Sequence, residues 1–323
     1  MPVVGSGPGT EPRLVSVVIP ARNAASSIGD LVRAVATQET SGAHLEVLVV
    51  DDGSTDGTAA AAEAAGARTV ARSGDSGNPA IARNLGASSA DGDPVVFLDA
   101  DCRPTPDWLS RLLAGHATGA VVVGGSLDLP PGLAAMARCD YYCGCYHVHS
   151  RRPRGEVPNH PPGNLSVRRA EFARTRGWTE GQPAAYAHEE LAWQAEVRRN
   201  GGRILFEPSA VVLHYNRPGF GNLLRRNYRW GFSAIETKAS TGAARQAWVY
   251  RYPALIVVAA LPLALGSAVY VTICWLRARV LEPLWMFPAI LCARLAYSAG
   301  LIAGGIRWMR FGEAAPEARP RWE

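Results

Sequence analysis

The chain has 323 residues, 48% of them hydrophobic and 19% charged, enough apolar material to fill one large core and to exclude a disordered protein. Its 33 basic residues exceed its 28 acidic ones for a formal charge of +5, but the arginines are scattered through the first half and cluster only near the C-terminal apolar segments, which argues against a nucleic-acid binder. The six cysteines form no secreted disulfide framework, so reduced thiols are expected.

Residues 1–13, "MPVVGSGPGTEPR", lack a basic start and an apolar core and read as a flexible arm rather than a signal peptide. Short β-branched runs follow at Leu14–Ile19, Leu45–Val50, Val95–Leu98 and Ala120–Val123. Between them lie Ala-rich stretches with apolar residues at helical spacing, such as Ile28, Leu31, Val32 and Val35. This alternation predicts an α/β fold, a mostly parallel sheet flanked by helices, whose ligands bind beyond the carboxyl ends of the strands. Polar clusters stand at three of those ends: "PARN", "DDGSTDGT" and "DADCRP".

In the second cluster Gly53 permits a tight turn and Ser54, Thr55 or Asp56 can cap the next helix, which leaves Asp51 and Asp52 free to accept from a ribose or a nucleobase N–H. In "GNPAIARNLGA", Asn78 and Pro79 start a helix, and Arg83, one turn inside it, is either a surface residue or a diphosphate contact. In the third cluster Asp99 and Asp101 flank one small residue, and two carboxylates so placed stay ionised only with a cation nearby. Oxygen ligation suits Mg²⁺ or Mn²⁺, which also hold nucleotide phosphates. "CDYYCGCYHVH" carries Cys139, Cys143, Cys145, His147 and His149 without standard zinc spacing and predicts an aromatic helix near the acceptor cleft.

The strings "VSVVIPARN", "VLVVDDGSTDGT", "ARNLGA" and "VVFLDAD" closely resemble the nucleotide-diphospho-sugar-binding half of family 2 inverting glycosyltransferases, which have the GT-A fold. The resemblance continues through "PPGNLSVRRAEFARTRGW" and "HEELAWQAEVRRNGGRILFEPSAVVLHY", covering about residues 14–216. It implies nucleoside contacts from Asp51 and Asp52, and metal and diphosphate contacts from Asp99 and Asp101. Further donor-side contacts fall on Pro20, Arg22, Asn23, Arg83, Asn84 and Ala100, with Asn164 on the acceptor side. It also implies a catalytic base at Glu190 or Glu189, where the family more often shows Glu-Asp, and a metal or phosphate contact at His214. The bare residues leave Glu189 and Glu190 open as helix-dipole acids and His214 open as a structural histidine. "RNYRW" resembles the Q-x-x-R-W string of processive members with arginine in place of glutamine, which argues against polymerisation. Arg229 and Trp230 either line the site or sit on a membrane-surface helix spanning a basic segment, 217–252.

Pro253–Trp275 is uncharged over 23 residues, and Pro283–Ile306 is broken only by Arg294, so a transmembrane hairpin over 253–306 is expected. Counting Arg and Lys, the preceding flank has six, the connector two and the tail, 307–323, four, which by the positive-inside rule places the catalytic domain and the tail together in the cytoplasm. The combined reading is a membrane-anchored glycosyltransferase that takes sugar from a nucleotide-diphospho-sugar to a hydroxyl or lipid-linked acceptor with Mg²⁺ or Mn²⁺. Its rivals are transfer to a polyprenyl phosphate and a non-enzymatic membrane scaffold that retains the fold.

Overall fold

The computed structural model describes residues 13–40, 42–72, 77–180, 190–241 and 252–311. The first half alternates as expected: β1 (Leu14–Ala21), α1 (Ala25–Ala36), β2 (His44–Asp51), α2 (Thr58–Ala64), β3 (Arg68–Ala71), α3 (Pro79–Ser89) and β4 (Val95–Leu98). Consecutive residues of β1, from Val15 to Ile19, are fully buried, as in a strand covered on both faces. Ile28, Leu31, Val32 and Val35 form the buried stripe of α1. Asn78 caps α3 by accepting from the N–H of Ala80 at 3.0 Å, and Pro79 occupies the first turn, where no N–H is needed.

Then come β5 (Cys102–Pro104), α4 (Trp108–His116), β6 (Val122–Asp128), α5 (Ala135–Cys145), β7 (Gly155–Glu156), β8 (Asn164–Val167), α6 (Arg169–Ala173), α7 (Glu190–Arg199) and β9 (Ile204–His214). The sheet order is β3-β2-β1-β4-β8-β6-β9-β5, with β7 on β9. Strands β3, β2, β1 and β4 are mutually parallel, whereas β8 enters antiparallel to both β4 and β6, so the sheet is mixed. Register aligns the functional ends. Ala21 stands beside Asp51, Leu98 beside Asn164, and Cys102 beside His214.

Three long helices complete the chain: α8 (Phe220–Thr241), α9 (Pro253–Arg277) and, after the short α10 (Glu282–Trp285), α11 (Phe287–Phe311). Helices α9 and α11 are long and apolar enough to cross a membrane. On α9 the buried residues Ile256, Ala260, Ala264 and Ala268 form one narrow stripe, and the rest of the surface exposes Leu255, Val258, Leu261, Leu265 and Tyr270 to its surroundings. Helix α8 runs beside α11 at glycine contacts, since a Cβ on Gly300 would stand 2.1 Å from the carbonyl oxygen of Tyr228. The Ser298 hydroxyl on α11 donates to the Ala260 carbonyl of α9 at 2.6 Å.

This bundle corrects one expectation. The segment after residue 217 is not a separate surface helix, because α8 is the third member of the bundle. The connector between α9 and α11 docks on α5. Glu282 accepts from Arg138 Nε at 2.8 Å and from the Tyr142 hydroxyl at 2.5 Å, and Trp275 Nε1 donates to the Tyr142 carbonyl at 2.9 Å. Thr241, Pro253 and Phe311, which end α8, start α9 and end α11, fall at the opposite end of the bundle. Arg294, the lone charge in the second apolar run, faces protein: it is buried and donates to the Cys143 carbonyl on α5.

Two outcomes test this architecture. Gly300→Leu forces α8 and α11 apart and is expected to cost about 1–3 kcal/mol, read as a lower melting temperature in detergent, while Leu295→Ala at an exposed position changes it by less than about 0.5 kcal/mol. His116 bridges the Ala120 carbonyl (2.9 Å) and the Ser166 hydroxyl (2.7 Å), and burial pushes its pKa down to about 4; burial does the same to His160. An unfolded histidine takes its proton near pH 6.5, so the stability these residues contribute is complete above that pH and is lost as pH falls from 6.5 towards 4. Urea midpoints between pH 7.5 and 4.5 should fall monotonically over that window.

Candidate active site

The ends of β1 and β2 are laced together. Asn23, with a left-handed φ of 51°, accepts from the N–H of Thr55 at 2.9 Å and donates its own N–H to the Ser54 hydroxyl at 2.9 Å. Asp51 accepts from the N–H of Ser54 at 2.9 Å, closing the turn that Gly53 permits at a φ of 76°. Asp52 is buried and paired with Arg72, the residue after β3. Pro20 is within β1, and Arg22 is exposed just beyond it. Sequence reasoning missed Arg72, because a lone arginine after a four-residue strand carries no motif.

Arg83 is no surface residue. It is 4% exposed, its Nη2 lies 2.7 Å from Asp99 Oδ1, and its guanidinium lies over the Trp178 ring at 5.5 Å. Asn84 is committed to protein, donating to the Trp178 carbonyl (2.8 Å) and to Glu180 (2.6 Å). It lines an open groove of about 660 Å³, with Arg72 and Glu180, that includes neither Asp99 nor Asp101. Behind Asp99 passes Gly163, where a Cβ would stand 2.7 Å from Asp99 Oδ2.

Ala100 forms the turn that carries Asp101 outward, half-exposed, to within 3.5 Å of His214 Nε2. Asp101, Cys102 and His214 offer one ligand atom each within 4.8 Å of one another, the one such group among the described residues. The Cys102 thiol is fully buried and donates to the Gly163 carbonyl at 3.7 Å, and its soft sulfur suits a hard, oxygen-preferring cation poorly. Asp101 and His214 therefore supply the donors, a carboxylate oxygen and an imidazole nitrogen, and that set fits Mn²⁺ or Mg²⁺. Asp99, bound to Arg83, stands apart from this group.

The remaining residues divide. Glu190 is buried as the first residue of α7, one turn ahead of Trp193 and Gln194. Trp193 packs on Trp178 at 4.8 Å, the ring that Arg83 overlies, so this face of α7 serves the same side of the sheet as Asp99. Glu189 lies outside the described residues. Asn164 is fully buried, with both amide hydrogens given to the carbonyls of Ser126 and Ala210 at 2.9 Å and its oxygen taken by Trp108 Nε1 at 2.7 Å, so it shapes the strand rather than reaching a ligand. Trp230 packs against Gly144 of α5, and Arg226 of α8 pairs with Asp140 of α5. Cys139, Cys143 and Cys145 are buried in α5, which is the expected aromatic helix.

Strand-end acids, a D-x-D turn and a strand-end histidine gather at the carboxyl ends of the strands, where open α/β sheets bind their ligands. Residues 16–162 match the family described as Glycosyl transferase family 2. It is 29% identical over 229 residues to the glycosyltransferase AglE of Haloferax volcanii, covering 69% of this chain and 73% of that protein. It is 32% identical over 239 residues to the pre-mycofactocin glycosyltransferase of Mycobacterium tuberculosis, covering 70% of this chain and 48% of that protein, so it spans about half the length of that relative. Among solved structures, GalNAc-T7 with UDP, GalNAc and Mn²⁺ shares the fold at a TM-score of 0.51 and 17% identity, over 70% of this chain and 51% of that one. The chain is a glycosyltransferase.

Gly163→Ala must displace the Asp99 carboxylate. It is expected to lower sugar transfer at least about tenfold, a loss of roughly 1.4 kcal/mol in transition-state stabilisation, with little change in melting temperature.

Proposed function

We propose that the chain is a membrane-bound inverting glycosyltransferase that moves a sugar from a nucleotide-diphospho-sugar to a hydroxyl or lipid-linked acceptor. The observation that carries this reading is the pair Asp101 Oδ1 and His214 Nε2 at 3.5 Å, at the strand ends where a diphosphate would lie. Two atoms that both accept hydrogen bonds face each other there, and only a proton or a cation between them makes the contact favourable. A divalent ion held by Asp101 and His214 would supply charge neutralisation for the departing nucleoside diphosphate. Mn²⁺ in a protein of the same fold supports a divalent ion without choosing it over Mg²⁺.

The chain's own residues supply the rest. Asp51 and Asp52 bound the nucleoside side, with Asp52 held by Arg72. Arg83, already neutralised by Asp99, keeps that carboxylate oriented at the diphosphate side. Glu190, or its neighbour Glu189, takes the proton from the acceptor hydroxyl as the acceptor oxygen bonds to the anomeric carbon. The bond from that carbon to the diphosphate breaks with its electron pair leaving on the diphosphate, so charge and atoms balance and the configuration inverts. The lipid-facing surface of α9 and the position of α8, six residues after His214, keep this chemistry beside a membrane.

Glu190→Gln should retain donor affinity and remove about 10²–10⁴ in turnover. Glu189→Gln is the partner variant, and an essential Glu189 beside a dispensable Glu190 moves the base by one residue. A double variant that transfers at the wild-type rate with saturating acceptor removes base catalysis and makes an already ionised polyprenyl phosphate the acceptor. Asp101→Asn should weaken Mn²⁺-dependent nucleotide-sugar binding far more than it lowers the melting temperature, and unchanged donor affinity with metal present would remove the cation assignment.

A further inference from the structure

His214 can serve a cation through Nε2 in only one tautomer, and its surroundings fix which. Nδ1 lies 2.7 Å from Oδ1 of Asn216. The Asn216 amide cannot be turned round, because its Nδ2 donates to Asp140 Oδ2 at 2.8 Å and a carboxylate offers only acceptors. The amide oxygen therefore faces the imidazole and accepts from it. Nδ1 therefore carries a hydrogen, and the neutral ring keeps its lone pair at Nε2, on the side of Asp101. Asp140 is held in turn, since the same Oδ2 accepts from Arg226 on α8, whose guanidinium lies over the Trp230 ring at 4.3 Å. Asp140 and Asn216 are each 3% exposed and His214 8%, so solvent offers these groups little competing hydrogen bonding.

We propose that Asn216 and Asp140 are positioning residues that hold His214 in the Nδ1–H form and so present Nε2 to the cation, and that Arg226 makes α8, a helix of the membrane bundle, the far anchor of the same relay. The inference rests on the reading of Asp101 and His214 as a cation site, but the tautomer it assigns is a property of the protein alone. The four residues come from three places, α5, the end and turn of β9, and α8, which no local motif joins. Outer partners of this kind set ligand orientation and basicity, and their loss typically weakens metal binding about 10–100-fold.

The test uses the full-length protein in detergent with ¹⁵N-labelled histidine, and His214→Ala identifies the His214 signals. Without metal, long-range ¹H–¹⁵N spectra should show His214 protonated at Nδ1 and bare at Nε2. Asn216→Leu and Asp140→Leu should each shift it towards the Nε2–H form and weaken binding of Mn²⁺ alone, followed by electron paramagnetic resonance, by about 10–100-fold. Asp140→Asn, which keeps shape and an acceptor for Asn216, should retain the tautomer, and Arg226→Gln should cost less than either leucine variant. A wild-type Nε2–H tautomer, or leucine variants that change neither the tautomer nor Mn²⁺ affinity, would overturn the relay. The expected tautomer in a wild-type protein that binds no Mn²⁺ would sustain the relay and overturn the cation reading instead.

Discussion

Carboxylates gathered at the ends of parallel strands repel one another, and the structure depends on giving each its own polar partner. Asp52 receives Arg72 from the end of β3, Asp99 receives Arg83 from α3, and Asp101 faces His214 from β9. The pairs come from elements on different sides of the strand ends, so the arrangement of the site and the order of the sheet are one problem. With Asp99 already balanced by an arginine, the D-x-D pair does not share a single ion between two equal partners. In the proposed reading the outward carboxylate and the strand-end histidine form the cation-binding half, while the inward carboxylate pairs with an arginine.

The parallel half of the fold was legible because each strand is a buried β-branched run closed by a polar cluster, and each helix shows one apolar stripe. The antiparallel insertion of β8 between β4 and β6 was not legible, since pairing direction depends on partners far along the chain. In the site, Asp51, Asp99 and Asp101 stood out because acids at strand ends lack a packing reason to be there. Arg72, Asn216 and Asp140 did not stand out, because their roles arise from tertiary partners 20, 2 and 76 residues away. Asn164 shows the converse: its motif position was visible, but only the structure reveals that protein groups use its whole amide.

Hydropathy found both apolar helices and could not find what they rest on. It scores the transfer of side chains to lipid and is blind to Trp275 stacked on His149 at 4.4 Å, or to Glu282 bridging Arg138 and Tyr142. Those contacts make the bundle part of the catalytic body. The buried arginine of α11 follows the same logic, since a charge in an apolar helix becomes tolerable once a protein carbonyl takes its hydrogen bond.

The docking of Trp275 on α5 also bears on how the chain is made. The carbonyl of Tyr142 waits for a partner 133 residues later in the sequence. At translation rates of about 5–20 residues per second, a ribosome needs on the order of 10 s to supply it. During that interval the nascent catalytic half carries the uncovered rings of Tyr141 and Tyr142, which later meet Trp275 at 5.3 and 5.0 Å. This face of α5 is therefore completed only as the last helices are delivered.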